Sequence, residues 1–350
     1  MATKDVAERL RWQVPHCRNL GSPFYAELLT RAAEDAEAGG PTEAVADPFL
    51  HLPVEEMLPL RLLGAVHRIV LEGGAPELAR HYPSVGGDGD AAAAWPLLRE
   101  LLAVAPDRLG ELMGQHVQTN EVGRSAALLG GFLAVACETG LPLRIREVGS
   151  SAGLNLRWDR YRYEANRAAW GDPGSRVRFS AVFEGELPPL DVEAKVTDRR
   201  GCDRAPIDPA TDDGRLTLLS YTWPDQRERF EQLCGALDVA REVPAAIDRA
   251  DAVDWLREQL AEPHPGAATV VFHSIVMQYL PEEARETVRA TIEDAGSRAS
   301  VDAPLAWLRM EPHADFAHVQ LTLWPAGEER LLAEAGYHGR PVRWAAASSR

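Results

Sequence analysis

The sequence predicts an α/β protein, with a helical N-terminal domain over residues 1–140 and a mainly parallel sheet over 141–345. Three observations carry this. Apolar residues recur at helical spacing through the first 140 residues. From Leu141 onward, short apolar runs alternate with amphipathic stretches, the pattern of strands joined by crossover helices. The first of those strands ends in a glycine-rich turn, Gly149-Ser150-Ser151-Ala152-Gly153.

The helical segments are PFYAELLTRAAEDA (23–36), EEMLPLRLLGAVHRIVLEG (55–73), AWPLLRELLAVAPDRLGELM (94–113) and EVGRSAALLGGFLAVACETG (121–140). Gly and Pro pairs punctuate them at 39–41, 73–75 and 86–90. LRIREV (143–148) is then a strand, bounded by Pro142 and Gly149, and LRWDRYRYE (156–164) is the helix expected after the turn. VRFSAVFEG (177–185) and EAKVTDR (193–199) offer strand material. A helix over 223–243 starts at Pro224, whose fixed φ suits a first turn. PAAIDRADAVDWLREQLAE (244–262) gives a short extended piece and a helix. ATVVFHSIVMQYL (268–280) contains a fully buried strand, and 281–296 is a helix with Pro281 and two glutamates at its start. APLAWLRMEP, HVQLTLWP and RPVRW complete the strands, with a helix expected at EERLLAEAGYH (328–338) and a frayed tail at AAASSR.

Composition narrows the function classes. The 350 residues are 45% hydrophobic and 26% charged, which places the chain with soluble globular proteins. A formal net charge of -16 repels phosphate backbones and argues against general nucleic-acid binding. Arg144, Arg146, Arg157, Arg160 and Arg162 cluster in sequence, and are read as a rim around an anion site in preference to an RNA groove. Cys17, Cys137, Cys202 and Cys234 form no CxxC pair, so no structural zinc or other metal is expected. The start, MATKDVAERLRW, lacks the apolar core of a secretory signal, and no run nears the roughly 20 apolar residues that span a bilayer. A cytoplasmic protein without membrane contact is the expectation.

The turn is the most informative segment. Gly149 and Gly153 let the backbone bend sharply and let a ligand approach where a Cβ would stand. Amides at the start of a following helix would favour a carboxylate-bearing ligand. Asn155 is placed to cap that helix or to bond the ligand. After the turn, Asp198 and Asp203 are alternative acceptors for ribose hydroxyls. Asp251 and Ala252 lie in IDRADAVDWL, which resembles the segment where methyltransferases contact the adenine and so implies an adenine-edge role for them, while Asp254 suits a helix first turn. His273 ends the buried strand VVFH, where residues line a ligand crevice, and is the candidate general base. Gln278 and Tyr279 follow it as candidate hydrogen-bonding groups. Glu311 and His313 are polar tips of a substrate-facing loop, and the spacing of His313 and His318 does not put both on one helical face. Asn120, Glu121 and Arg124 form a polar run before an apolar helix. It is either a cap or a face closing over the site, with Asn120 and Arg124 one turn apart.

The same turn fits a second chemistry. Gly149-Ser150-Ser151-Ala152-Gly153 matches G-x-S-x-G, in which Ser151 would be a nucleophile on a strand-to-helix elbow. Asp251 with His273 or His313 would complete a triad. Such a fold needs several strands before the elbow, and the preceding 140 residues read as helical.

Glu147-Val148-Gly149 with Gly153 resembles the first motif of class I S-adenosylmethionine-dependent methyltransferases. The resemblance implies a Rossmann-like, mainly parallel seven-stranded sheet. It also implies S-adenosylmethionine bound by Glu147, Gly149, Ser150, Ser151, Gly153 and Asn155, with Glu147 near the methionine amino group. The motifs QTNEVGR (118–124), EVGSSAGLNL (147–156), WPDQ (223–226) and FHSIVMQYL (272–280) together resemble an uncharacterised bacterial family, a domain of unknown function frequent in actinobacterial-type genomes. That family likeness implies a helical N-terminal part, a C-terminal domain of S-adenosylmethionine type and no particular substrate. His273-Ser274 stands where many methyltransferases have Asp/Asn-Pro, which leaves O-, carboxyl or other small-molecule methylation open. The expected function is methyl transfer from S-adenosylmethionine to a small molecule. The alternatives are a serine hydrolase and a non-catalytic binding protein.

Overall fold

The computed structural model describes residues 5–345, so most of the expected C-terminal tail lies outside the described residues. The helices are α1 Val6–Asn19, α2 Pro23–Glu37, α3 Pro41–Ala46, α4 Leu58–Leu71, α5 Pro76–Ala79, α6 Ala91–Val104, α7 Pro106–Met113, α8 Arg124–Thr139, α9 Asp212–Ser220, α10 Arg227–Glu242, α11 Ala252–Gln259 and α12 Glu282–Ser297. The strands are β1 Leu143–Val148, β2 Arg162–Glu164, β3 Ala169–Trp170, β4 Arg178–Ser180, β5 Val196–Asp203, β6 Ala246–Arg249, β7 Ala268–Ser274, β8 Leu305–His313, β9 Phe316–Trp324, β10 Glu328–Ala335 and β11 Val342–Trp344. Two compact units result: one runs to Thr119 and adds Thr211–Glu231, the other combines Asn120–Ala210 with the chain from Gln232 onward.

Among the described residues, every regular element of the first unit is a helix. Proline stands at the first or second position of α2, α3, α4, α5 and α7. There its missing N–H costs nothing, and its φ is already helical. Leu10, Leu28, Leu29, Leu62, Leu63 and Leu98 fill the core, together with Trp223 from the later segment. The WPDQ motif thus has a structural use. Trp223 is buried in that core, and Asp225 accepts the Ser22 hydroxyl at 2.6 Å and the Phe24 amide at 3.0 Å, capping α2. The helix expected from Pro224 begins at Arg227 instead.

His67 lies wholly inside this unit, with Nδ1 3.1 Å from the Ser220 carbonyl and Nε2 2.8 Å from the Ser84 hydroxyl. Burial pulls its imidazole down from 6.5 to about 4, although the Ser220 carbonyl favours the charged form. A histidine lowered on folding stays neutral while its unfolded counterpart charges, so stability present above pH 6.5 is lost as the pH falls to about 4. The expected loss is on the order of 3 kcal/mol. Urea midpoints across that range check this, with a flatter profile expected for His67→Gln.

The second unit is a mixed α/β structure around an eight-stranded sheet ordered β11-β10-β9-β8-β7-β1-β5-β6. The run from β8 to β6 is parallel, and β9, β10 and β11 continue from β8 as an antiparallel meander. Helix α8 covers one face, where Phe132 meets Phe272 of β7 edge-on at 5.1 Å. Gly131 lets Leu308 come so close that an added Cβ would sit 2.3 Å from its Cδ1. Helices α11 and α12 cover the other face, burying Trp255, Leu256, Val288 and Ile292 against Val148, Val271 and Trp307.

Three expectations give way here. The sheet has eight strands, because 328–338 is not a helix: β10 pairs along β9 from Glu328↔Leu323 to Ala335↔Ala317. Glu, Leu and Ala favour helix locally, but pairing with β9 buries Leu332, Ala333 and Ala335 and overrides that preference. The segment after the glycine turn is not an α-helix either. Asn155–Arg160 is a short 3-10 run with a non-helical Arg157 at φ -108°, and β2 follows. Trp158, Tyr161 and Tyr163 are all fully buried, a spacing no single helical face provides. Tyr161 and Tyr163 donate hydroxyls to the Leu154 and Trp158 carbonyls at 2.6 and 2.9 Å. Of the strand material at 177–185, only β4 forms, in a small sheet ordered β3-β2-β4.

Candidate functional site

Strand β1 is the middle one of the five parallel strands, with β5 on one side and β7 on the other. The chain places β5 and β6 to one side of β1, then reverses to place β7 and β8 on the other. At such a reversal, loops leaving the carboxyl ends of the strands part and open a crevice. Glu147 to Gly153 stands there.

The turn is built from left-handed residues. Gly149, Ser151 and Gly153 have φ of 68°, 51° and 66°. Gly149 is required twice over, because an added Cβ would lie 2.5 Å from Val276 Cγ2. Ser150 is fully buried, and its hydroxyl donates to the Cys202 carbonyl at 3.2 Å. Gly201 of β5 leaves room for it, since a Cβ there would meet Ser150 Oγ at 2.6 Å. The Ser151 amide donates to Asp203 Oδ2 at 2.8 Å, and the Leu154 amide to Asn120 Oδ1 at 2.9 Å. Asn155, buried to 2% exposure, accepts the Ser125 hydroxyl at 2.7 Å and donates to the Glu121 carbonyl at 3.3 Å. Arg157 Nη1 donates to the Gly153 carbonyl at 2.7 Å.

Glu147 is 2% exposed, and its Oε2 is buried without a hydrogen-bond partner. Its register partner Phe272 packs under α8, so Glu147 points to the α8 face. Burial drives its carboxyl well above the ordinary range; Arg157 and Arg124 oppose this and Asp203 adds to it. A buried acceptor with nothing to accept from is costly in a folded protein. An ammonium or other donor at that position would relieve it.

The polar run before α8 frames the same region. Glu121 accepts the Gly123 amide at 3.2 Å and approaches His338 Nδ1 at 2.9 Å. Arg124 donates to the Ser274 carbonyl at 2.9 Å and the Tyr337 carbonyl at 3.1 Å, joining the ends of β7 and β10. The role of the 336–341 loop is not signalled in the sequence; Gly339 is required there both by its φ of 79° and by its close approach to the Gly123 carbonyl, 2.0 Å from an added Cβ.

The two ribose candidates separate. Asp203 ends β5 beside the turn, whereas Asp198 lies in the first half of β5 and is ion-paired with Arg146. Asp251 caps α11 by accepting the Val253 amide at 2.9 Å and pairs with Arg204 at 3.1 Å; Ala252 is the buried first residue of that helix.

His273 does not join the turn. Neighbouring Phe272 faces α8, so His273 faces the α12 side, where Nδ1 lies 2.6 Å from Glu311 Oε1 and Nε2 accepts the Trp307 indole N–H at 3.0 Å. Both ring nitrogens are engaged and the residue is fully buried. In this geometry neither ring nitrogen has a lone pair free for a substrate proton. Glu311 also accepts the Val276 and Met277 amides at 3.1 and 3.4 Å, holding a turn in which Ile275 has φ 55°. That is a strained value for a β-branched residue. Glu311 is therefore a structural anchor, not a loop tip. His313 is exposed and stacks on His318 at 3.8 Å in the β8–β9 hairpin. Gln278 and Tyr279 are exposed, Tyr279 to 73%. Replacing Glu311 with alanine strands an imidazole N–H and two amides, and is expected to cost about 2–4 kcal/mol in urea denaturation.

Among the described residues, no group of three or more His, Cys, Asp and Glu is arranged to hold a metal ion, and no helix is long and apolar enough to cross a membrane. No curated protein and no solved structure gives a significant match. A family model does, over residues 7–344, described as an uncharacterized protein conserved in bacteria. With nearly all of its length matched, from the helical unit through the turn to the last strand, this chain belongs to the DUF2332 family.

Proposed function

We propose that this protein is an S-adenosylmethionine-dependent methyltransferase acting on a small molecule, with its second unit a class I, Rossmann-like domain. The observation that carries the reading is Glu147: a carboxylate oxygen buried without a partner, at the carboxyl end of β1 and two residues before a left-handed glycine turn. The ammonium of the cofactor's methionine end is a donor of the right sign for it. Asp203, at the end of the next strand, is the reading's choice for the ribose hydroxyls. The parallel order β6-β5-β1-β7-β8 and its reversal at β1 support a crevice there, while the antiparallel meander β9–β11 departs from a seven-stranded arrangement.

In this reading catalysis rests on proximity and alignment of the methyl group with the acceptor, because His273 is tied at both nitrogens. Isothermal titration with S-adenosylmethionine and S-adenosylhomocysteine tests it. Binding of both is expected, and no binding of either at millimolar concentration removes the reading.

One observation favours a serine hydrolase instead: Ser151, inside G-S-S-A-G, has a strained φ of 51°. Fluorophosphonate labelling that disappears in Ser151→Ala would establish that chemistry. An unlabelled protein that binds the cofactor rejects it. Binding without turnover on any acceptor would leave a non-catalytic module.

A further inference from the structure

The amino-terminal half of the same sheet carries a second constellation, at the opposite end of β1 from the glycine turn. On the α11 face, register pairs Arg144 with Asp198 and Arg146 with Arg200, and β6 adds Asp248. Arg200 takes Asp248 through two bonds of 2.6 and 2.9 Å. Arg146, 3% exposed, takes Asp198, the Gln259 side-chain oxygen at 2.9 Å and the Ile145 carbonyl at 2.9 Å.

Arg144 is left over. Its nearest carboxylate oxygen, Asp198 Oδ2, is 3.6 Å away and is the one Arg146 already holds. Its other contacts are slack, at 3.4 Å to the Gln259 carbonyl and 3.5 Å to the Thr269 hydroxyl. Three guanidiniums thus share two carboxylates, and the unmatched one has a side chain only 15% exposed. Burial first, then repulsion from Arg146, pulls Arg144 down to about 10. A guanidinium held mostly out of water by long contacts is incompletely compensated, and its fixed fork of N–H donors is a ready receptor for a planar or tetrahedral oxyanion.

The space for one is present. Arg144 and Arg146 line a solvent-open groove of about 360 Å³, bordered also by Gln259, Pro263, His264 and the Asp198 that Arg146 already holds. A volume of this size suits a small metabolite rather than a polymer. Glu258 and Glu262 also border it, but both are exposed, where solvent and salt screen them. We propose that this groove is a second ligand site, binding a small molecule through a carboxylate or phosphate group gripped by Arg144. The proposal stands independently of the methyltransferase reading, because it uses none of the turn's residues.

The test is isothermal titration of the full chain with inorganic phosphate and, separately, with succinate, each at fixed ionic strength set by chloride. Saturable binding of at least one is expected, and the one that binds identifies the headgroup. Arg144→Gln is expected to weaken that binding about thirtyfold or more. If the glutamine variant does not fold, Arg144→Lys keeps the charge without the fork and is expected to weaken it about tenfold. No saturable binding of either probe by the wild type at millimolar concentration overturns the proposal. So does unchanged affinity in the folded variant.

Discussion

Replacing Glu147 with glutamine is expected to weaken S-adenosylhomocysteine binding by about thirtyfold or more while leaving the unliganded fold intact. The carboxylate is buried, and its Oε2 has no internal donor to lose, so the amide removes nothing from the free protein's own hydrogen bonding. Bound cofactor would be different. A buried ammonium–carboxylate pair is worth about 2–5 kcal/mol when one partner is truncated, which corresponds to that loss of affinity. The pH dependence has a definite sign. Burial raises the folded carboxyl above its unfolded value of 4.5, so the free protein's stability is highest below that value and falls as the pH rises toward the raised one. Glu147→Gln lacks this decline. An arriving ammonium favours the charged carboxylate, so binding releases a proton from Glu147. Calorimetry in two buffers of different ionisation enthalpy reads that release, and it disappears in the glutamine variant.

Gly149→Ala is the substitution with the largest expected effect on the turn itself. A left-handed residue with a Cβ costs about 1–2 kcal/mol, and Gly149 has φ 68°. The new methyl would also lie 2.5 and 2.9 Å from the two γ-carbons of Val276, a crowding worth about 1–3 kcal/mol. A total loss near 2–5 kcal/mol is expected in urea denaturation. Val276→Ala removes the crowding but not the backbone strain. The double variant Gly149→Ala with Val276→Ala therefore recovers only part of the loss, and the size of that part divides the two effects. Full recovery would mean the left-handed geometry matters little, and no recovery would mean Val276 does not pack there.

Much of the fold can be read from the chain because its signals are local. LRIREV mixes apolar and charged residues, is bounded and the length of a strand, and it matches β1 residue for residue. The helices of the first unit follow from their periodicity and their prolines. The failures share a cause: tertiary contacts decide. EERLLAEA has helical residues throughout, yet β9 lies beside it and captures it as a strand. LRWDRYRYE alternates arginines and aromatics, and the aromatics bury together with Trp170 and Phe179 from residues further along the chain. Asp225, which closes α2 from some 200 residues away, gives no local sign of its partner.

The candidate site divides in the same way. The positive-φ glycines are announced by composition and spacing, because a sharp bend needs them wherever it occurs, while Glu147 is pointed out only by the resemblance to the methyltransferase motif. His273 is also conspicuous, at the end of a buried strand. Its role depends on Trp307 and Glu311, which come from a strand more than 30 residues later. Strand parity then settles what sequence position leaves open: one step along β7 turns the side chain from the α8 face to the α12 face. Asp198 and Asp203 are equivalent in sequence and lie at opposite ends of one strand in the fold.

A crystal structure of the protein soaked with S-adenosylhomocysteine tests the role of the turn most directly. The expected result places the ligand's amino group within hydrogen-bond distance of Glu147 Oε2, with its ribose hydroxyls toward Asp203. Ligand bound elsewhere, or no ligand at saturating concentration with Glu147 still unpartnered, would contradict it.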